Sequence, residues 1–173
     1  CNYYNNINSI IITDYNNKNM FQRQVEDYLK ENKSEANQKY ITGNATYSIV
    51  KTKKTSVKKN LYIFEGFYDL LSYICYFKGN IDSLILVSLN GAGNVKRLIL
   101  DLENNREEFN GVKFIKSYCD NDDIGKETSE EIKNKLNKKY FIVNPFGFDG
   151  LSKETVKDYN QYIIKKTGKG IIL

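Results

Sequence analysis

The sequence contains no histidine. That absence excludes imidazole acid/base catalysis, Ser–His and Cys–His nucleophile pairs, and His-ligated zinc within these residues. Any chemistry must therefore run on carboxylates, lysines, hydroxyls or a metal held by oxygen. Tryptophan is also missing, and the single proline, Pro145, leaves no proline-rich linker or recognition tail. The three cysteines, Cys1, Cys75 and Cys119, are odd in number and widely spaced, and none belongs to a CxxC pair. A disulfide framework and a Cys-ligated zinc site are thereby excluded. Cys75 and Cys119 lie in apolar runs and are expected to be small core residues. No run approaches the length of about eighteen apolar residues that a membrane-crossing helix requires. The first residues, CNYYNN, lack the basic start and apolar run of a secretory signal. A reducing, cytoplasmic setting away from membranes is expected. Because the chain does not begin with Met, it is expected to be a fragment or a processed product.

What is present fits an ordinary soluble domain. The 173 residues are 40% apolar, 27% charged and 13% aromatic. That composition suits one domain with appendages, or two small ones, with enough aromatic volume for a sizeable core. The formal charge is +5, and the basic residues are almost all lysine, with arginine only at 23, 97 and 106. A basic domain suggests a polyanionic partner. Lys, Asn, Ile and Tyr are all abundant and all have AT-rich codons, so the base composition of the gene accounts for lysine equally well.

Local patterns divide the chain near residue 58. Ahead of it, Ile7 to Thr13 reads as a short strand. Phe21, Val25 and Leu29, four apart, predict a helix over Asn19 to Glu31. Thr-Gly-Asn between two β-prone runs predicts a hairpin over Tyr40 to Val50. A basic stretch follows with Lys51, Lys53, Lys54, Lys58 and Lys59. It is either a nucleic-acid contact or a solvated linker. Residues 1–57 thus read as a small α+β region with a basic linker, and 58–173 as a second domain.

From there the pattern alternates. Strands are expected at Leu61 to Phe64, Ser83 to Ser88, Val112 to Cys119 and Tyr140 to Val143. The helices between them are marked by Phe67, Leu70, Leu71, Ile74 and Cys75, by Val95, Leu98, Ile99 and Leu102, and by Ile124, Thr128, Ile132 and Leu136. A closing helix is expected over Lys153 to Lys165. This is an α/β fold with a central, largely parallel sheet flanked by helices. In such sheets ligands bind beyond the carboxyl ends of the strands.

The residues just after the strands are acidic. Glu65-Gly66-Phe67-Tyr68-Asp69 follows the first strand, and Asp120-Asn121-Asp122-Asp123-Ile124-Gly125 follows the third. Lys157-Asp158-Tyr159-Asn160 comes after the fourth. Asp120 and Asp122 are two apart and can face one point in an extended turn, and Glu65 can add a third oxygen. Clustered carboxylates repel unless a cation neutralises them. All-oxygen ligation favours Mg²⁺ or Mn²⁺, ions typical of phosphoryl transfer. The competing account is that DNDD merely caps a helix. Asn90 and Gly91, after the second strand, line a phosphate site or form a plain turn. Gly66 and Gly125 fall where strand turns into helix, and a missing Cβ there is expected to allow a tight turn.

FEGFYDLLS, SLNGAGN and YCDNDDIGKE, in this order, resemble the TOPRIM domain shared by bacterial-type primases, type IA and II topoisomerases, OLD-family nucleases and RecR-type repair proteins. The likeness spans roughly residues 58 to 165. It leans toward primase catalytic cores and primase-like proteins of mobile elements, where a late KDxN motif also occurs. The resemblance implies a TOPRIM-like Rossmannoid fold and metal-dependent nucleotidyl transfer on a DNA template, in replication or mobilisation of mobile DNA. It implies Glu65 as the catalytic glutamate with Asp69 as a supporting acid, and Glu65, Asp120, Asp122 and Asp158 as ligands of Mg²⁺ or Mn²⁺. The implied partners are single-stranded DNA, nucleoside triphosphates and a replicative helicase or mobilisation protein. Nicking or topoisomerase-type activity, and a non-catalytic DNA- or protein-binding module, are the alternatives. Two departures stand out. Asn160 occupies a place where primases commonly carry an acid, and Ile124 one where a small residue is common. Ile124 is expected to pack under its helix.

Overall fold

A computed structural model describes residues 9–13, 20–24, 39–41, 46–50, 60–76, 79, 81–143 and 156–168. The expected contacts of Lys51, Lys53, Lys54, Lys58 and Lys59 lie outside these residues, as does the Thr-Gly-Asn turn.

The site rests on one five-stranded sheet. Its strands are β4 (Ser48–Val50), β5 (Asn60–Phe64), β6 (Leu84–Ser88), β7 (Phe114–Tyr118) and β8 (Phe141–Val143), in the order β4-β6-β5-β7-β8. β6, β5, β7 and β8 run parallel, and β4 pairs antiparallel with β6 at one edge. β6 is buried along its whole length, as its unbroken LILVS sequence requires of a parallel strand covered on both faces. The α/β architecture expected from the alternating pattern is therefore present.

Among the described residues, four α-helices connect and cover the sheet: α1 (Phe67–Tyr76), α2 (Val95–Glu103), α3 (Asp123–Leu136) and α4 (Tyr159–Thr167). One face carries Leu61, Ile63, Ile85, Val87 and Ile115, packed with Val95, Leu98, Ile99 and Leu102 of α2 and Ile132 and Leu136 of α3. The opposite face is aromatic. Phe64 stacks on Tyr118 with ring centroids 4.9 Å apart and planes at 5°. Tyr73 of α1 and Tyr159 of α4 close over this pair. One further buried tie is Asp101, at the end of α2. It accepts 2.6 Å from the Tyr47 hydroxyl and pairs with Arg97 and Arg106. Two of the chain's three arginines thus serve one buried carboxylate.

Several expectations change. Over 19–31 a helix is not what forms at Met20–Gln24, which is strand β2. It pairs antiparallel with β1 (Ser9–Thr13) and with β3 (Lys39–Ile41). Three apolar positions are a weak helix signal, and pairing with the Ile10–Ile12 run overrides it. The hairpin over Tyr40 to Val50 is not formed: β3 joins that three-stranded sheet, whereas β4 joins the five-stranded one. Among the described residues the region before 58 contains strands and no helix.

The closing helix starts at Tyr159, with Asp158 as its cap, rather than at Lys153. The buried face of α1 is Asp69, Leu70, Ser72 and Tyr73, so Cys75 is exposed, and of the two described cysteines Cys119 is the buried one. Periodicity placed the apolar stripe slightly off because the buried face includes two polar residues with partners. Ile124 is 60% exposed at the start of α3 and does not pack beneath it.

Candidate active site at the carboxyl edge of the sheet

The parallel register aligns the last residues of the three central strands, Phe64 with Ser88 and with Tyr118. The residues that follow therefore emerge together at one edge. Leu89 donates its N–H to Phe64 O at 2.8 Å, and Gly91 donates to Glu65 O at 3.0 Å. From the other side the Asp120 N–H donates to the Glu65 carboxylate, Oε2, at 3.2 Å. Glu65 and Asp120, fifty-five residues apart, are neighbours at this edge.

Each acid of the edge has a definite hydrogen-bonding role. Asp122 is the N-cap of α3, its Oδ1 accepting from the Gly125 N–H at 2.9 Å. Asp158 caps α4 in the same way, accepting from the Gln161 N–H at 2.7 Å. Both caps also place negative charge at the positive end of a helix dipole. Asp69, 5% exposed on α1, accepts from the Asn160 N–H at 2.9 Å.

Two residues not singled out by sequence hold these pieces together. Asn121, between Asp120 and Asp122, donates its N–H to Lys157 O at 2.6 Å and its Nδ2 to Val156 O at 3.1 Å. It thereby straps the β7–α3 loop to the segment carrying Asp158. Ser72, fully buried on α1, donates 2.6 Å to Asn160 Oδ1. The amide at 160 faces α1 and serves as a helix clasp. The central position of Asn121 in DND was a usable signal, whereas nothing local marks Ser72.

The electrostatics converge on Asp120. Burial raises its pKa to about 8, reinforced by the negative charges of Glu65, Asp69, Asp158 and Asp122. Asp69 is raised to about 7, chiefly by burial and then by Asp158, with hydrogen bonds from the Asn160 and Gly66 backbone acting against the shift. A half-buried carboxyl facing four other acids takes up either a proton or a cation. Among the described residues, no three acids or cysteines close around a single point. Glu65, Asp69, Asp122 and Asp158 each have one oxygen turned to a backbone N–H. The donor set, all carboxylate and without His or Cys, nonetheless fits Mg²⁺ or Mn²⁺.

The loop after β6 is wired inward. Asn90 is 7% exposed with φ 57°, and its Nδ2 donates to Thr46 O at 3.1 Å and to Ser48 Oγ at 2.9 Å. Its side chain fastens β4 to β6, and its own N–H donates to Ser88 Oγ at 3.2 Å, so the Asn90 side chain and the N–H groups of Leu89, Asn90 and Gly91 are all engaged within the fold. Gly91 has φ 123°, a conformation open to glycine and strained for other residues.

This arrangement of a strand-end glutamate, a DxD-capped helix and a late aspartate-capped helix coincides with a known family. The Toprim-like family model matches residues 62–163, from β5 into α4. The chain is a Toprim-like protein. Among solved structures it is similar to the primase fragment of the bacteriophage T7 primase–helicase protein, with a TM-score of 0.52 and 18% identity. The match covers 91% of this chain and 58% of that fragment. At this identity the likeness is one of fold, and the Toprim-like chain spans little more than half of the T7 fragment. No curated protein sequence matches it. Among the described residues of the Toprim-like protein, no helix is long and apolar enough to cross a membrane.

Proposed function

We propose that this Toprim-like protein carries out metal-dependent nucleotidyl transfer on a single-stranded DNA template, as in primer synthesis. The observation that carries the reading is the half-buried Asp120 facing Glu65, Asp69, Asp122 and Asp158, acids gathered at one edge from three separate segments. Family membership and the fold likeness to a primase fragment support it. Glu65, Asp120, Asp122 and Asp158 would hold Mg²⁺ or Mn²⁺, which when bound neutralises phosphate charge and lowers the barrier to phosphoryl transfer. Asp69 supports the site from α1 by tethering α4. Asn90 and Gly91, expected at a phosphate site, would act there by shaping the loop after β6, since their N–H groups donate to Ser88 Oγ and Glu65 O. Lys51, Lys53, Lys54, Lys58 and Lys59 would track the template backbone. The T7 relative is the primase part of a primase–helicase, so a replicative helicase or a mobilisation protein is the proposed macromolecular partner, in the cytoplasm.

One observation favours a different reading. Carboxylates already bonded to backbone N–H groups suit a structural module that binds DNA or protein without catalysis. Incubation of the protein with Mg²⁺, nucleoside triphosphates and single-stranded DNA separates the possibilities. Labelled primers support nucleotidyl transfer, shortened DNA indicates nicking, and retention of DNA without product indicates the binding module. Loss of primers in Asp120→Asn, with folding intact, ties the activity to this edge.

A further inference from the structure

The aromatic face of the sheet is covered unevenly. Tyr159 of α4 reaches Phe64, Tyr73 and Tyr118, all toward the carboxyl ends of the strands or on α1. At the opposite ends, Phe114 opens β7 and Phe141 opens β8, and the two are Cα partners across the parallel pair. Their rings stack, with centroids 5.6 Å apart and planes at 28°. Phe114 is 38% exposed and Phe141 72%, so Phe141 is the most exposed large apolar side chain among the described residues. A paired, flat aromatic surface in solvent differs from a scattered surface phenylalanine, which needs no explanation.

The two segments that carry the pair are basic. Residues 109–119 and 132–143 hold six lysines and no acid, against +5 for the entire chain. The remainder is therefore net −1, and of the six lysines Lys133 pairs with Glu130 while Lys139 Nζ donates to Leu102 O and Glu103 O. Lys116 shares the face of Phe114, two residues along the strand, with its Nζ 5.2 Å above the Tyr62 ring. Lys113 and Lys138 are exposed just before β7 and β8.

Exposed rings beside acid-free lysine segments are the chemistry that stacks unpaired bases and neutralises phosphates. A second copy of the chain fits less well. An isologous contact would bring these lysines against themselves, and two rings fall far short of the roughly 800 Å² per partner of a stable protein interface.

We propose that the Phe114–Phe141 platform and its flanking lysines bind single-stranded nucleic acid. The platform lies at the edge of the sheet opposite the carboxylates, one five-residue strand away, or about 15 Å. Binding there needs neither the acids nor a metal, so it stands or falls separately from nucleotidyl transfer.

The test is fluorescence anisotropy of labelled oligothymidylate with the complete chain in EDTA. Phe141→Ala and Phe114→Ala are each expected to weaken binding about fivefold or more, the loss of one stacked base. Lys113→Ala and Lys116→Ala should each lower the salt slope by about 0.7. A duplex of the same length should respond to the lysine changes and not to the phenylalanine changes, because its bases are already stacked. Phe141 is mostly in solvent, so its replacement leaves folding intact, which circular dichroism checks. Unchanged oligothymidylate affinity in both phenylalanine variants overturns the proposal. So does a wild-type dimer in sedimentation that Phe141→Ala converts to monomer without affecting binding, since that assigns the patch to a second copy.

Discussion

Gly125 is the position where one added methyl group does the most damage. It lies in the first turn of α3 with ordinary backbone angles, so conformational freedom is not the reason for glycine. Space is. A Cβ there would stand 2.7 Å from both Asp120 N and Asp120 C and nearer still to the Asp120 carbonyl oxygen. These are backbone atoms and cannot rotate aside, so α3 must lift off the DxD loop. Overpacking typically costs 1–3 kcal/mol, and a rigid obstacle places Gly125→Ala near the top of that range, at about 3 kcal/mol. Lifting the turn also breaks the Asp122 cap to the Gly125 N–H, worth about 1 kcal/mol. Alanine's better helix propensity returns about 1 kcal/mol. The net loss is about 3 kcal/mol, or roughly 6–12 °C in melting temperature for a chain of this size.

Gly93→Ala is the internal control. Its Cβ would meet nothing within 4 Å, and the expected change is between zero and a gain of about 1 kcal/mol. Gly66→Ala is intermediate, because its Cβ meets only the Asp69 Oδ2 atom, at 2.6 Å, and a side chain can give way. Urea unfolding of the three variants measures the order directly. Equal stability of Gly125→Ala and Gly93→Ala would refute the claim that α3 rests on the Asp120 peptide.

Three further outcomes are expected. In metal-free protein, stability should fall as pH rises from about 5 to 8.5. Asp69 and Asp120 bind protons more tightly folded than unfolded, so their contribution is complete below the ordinary carboxyl pKa and disappears through about 7 and 8. Melting curves of Asp120→Asn should flatten that dependence, and a native profile that rises with pH contradicts the assignment. Millimolar Mn²⁺ or Mg²⁺ should raise the melting temperature of the native protein, by about 2.7 kcal/mol of stability at a hundred times the dissociation constant. An equal shift in the Asp120→Asn/Asp122→Asn double variant removes these residues as ligands. Asp101→Ala should cost about 1–3 kcal/mol in urea unfolding, because the Tyr47 hydroxyl and two arginines lose their shared acceptor.

Much of the main sheet was legible because β5 and β6 are buried almost throughout and α2 and α3 each have one apolar stripe. LILVS could be little else than a central parallel strand, and Val95, Leu98, Ile99 and Leu102 are all buried as their spacing predicts. The failures share a cause, which is that local pattern does not reveal partners. Met20–Gln24 became a strand through pairing with β1. Ser48–Val50 left its expected hairpin to pair with β6, whose sequence neighbours lie thirty or more residues away. In α1 the stripe was misplaced because Asp69 and Ser72 are buried by virtue of bonds to Asn160, an element eighty-eight residues beyond Ser72.

The same limit explains what the acidic motifs could and could not reveal. The choice between a metal site and a helix cap, posed by DNDD, turns out to be a false alternative for the side chains themselves. Asp122 does cap α3, and Asp158 caps α4. Capping fixes where these carboxylates sit and leaves each with a second oxygen. Asn121 then fastens one capped helix start to the other. Capping takes one acid per helix start, so two caps do not account for five acids at one edge, where like charges repel. Burial first, and then these neighbours, raise the pKa values of Asp69 and Asp120. The excess of negative charge over what the helix ends require is thus the structural feature that a cation would satisfy.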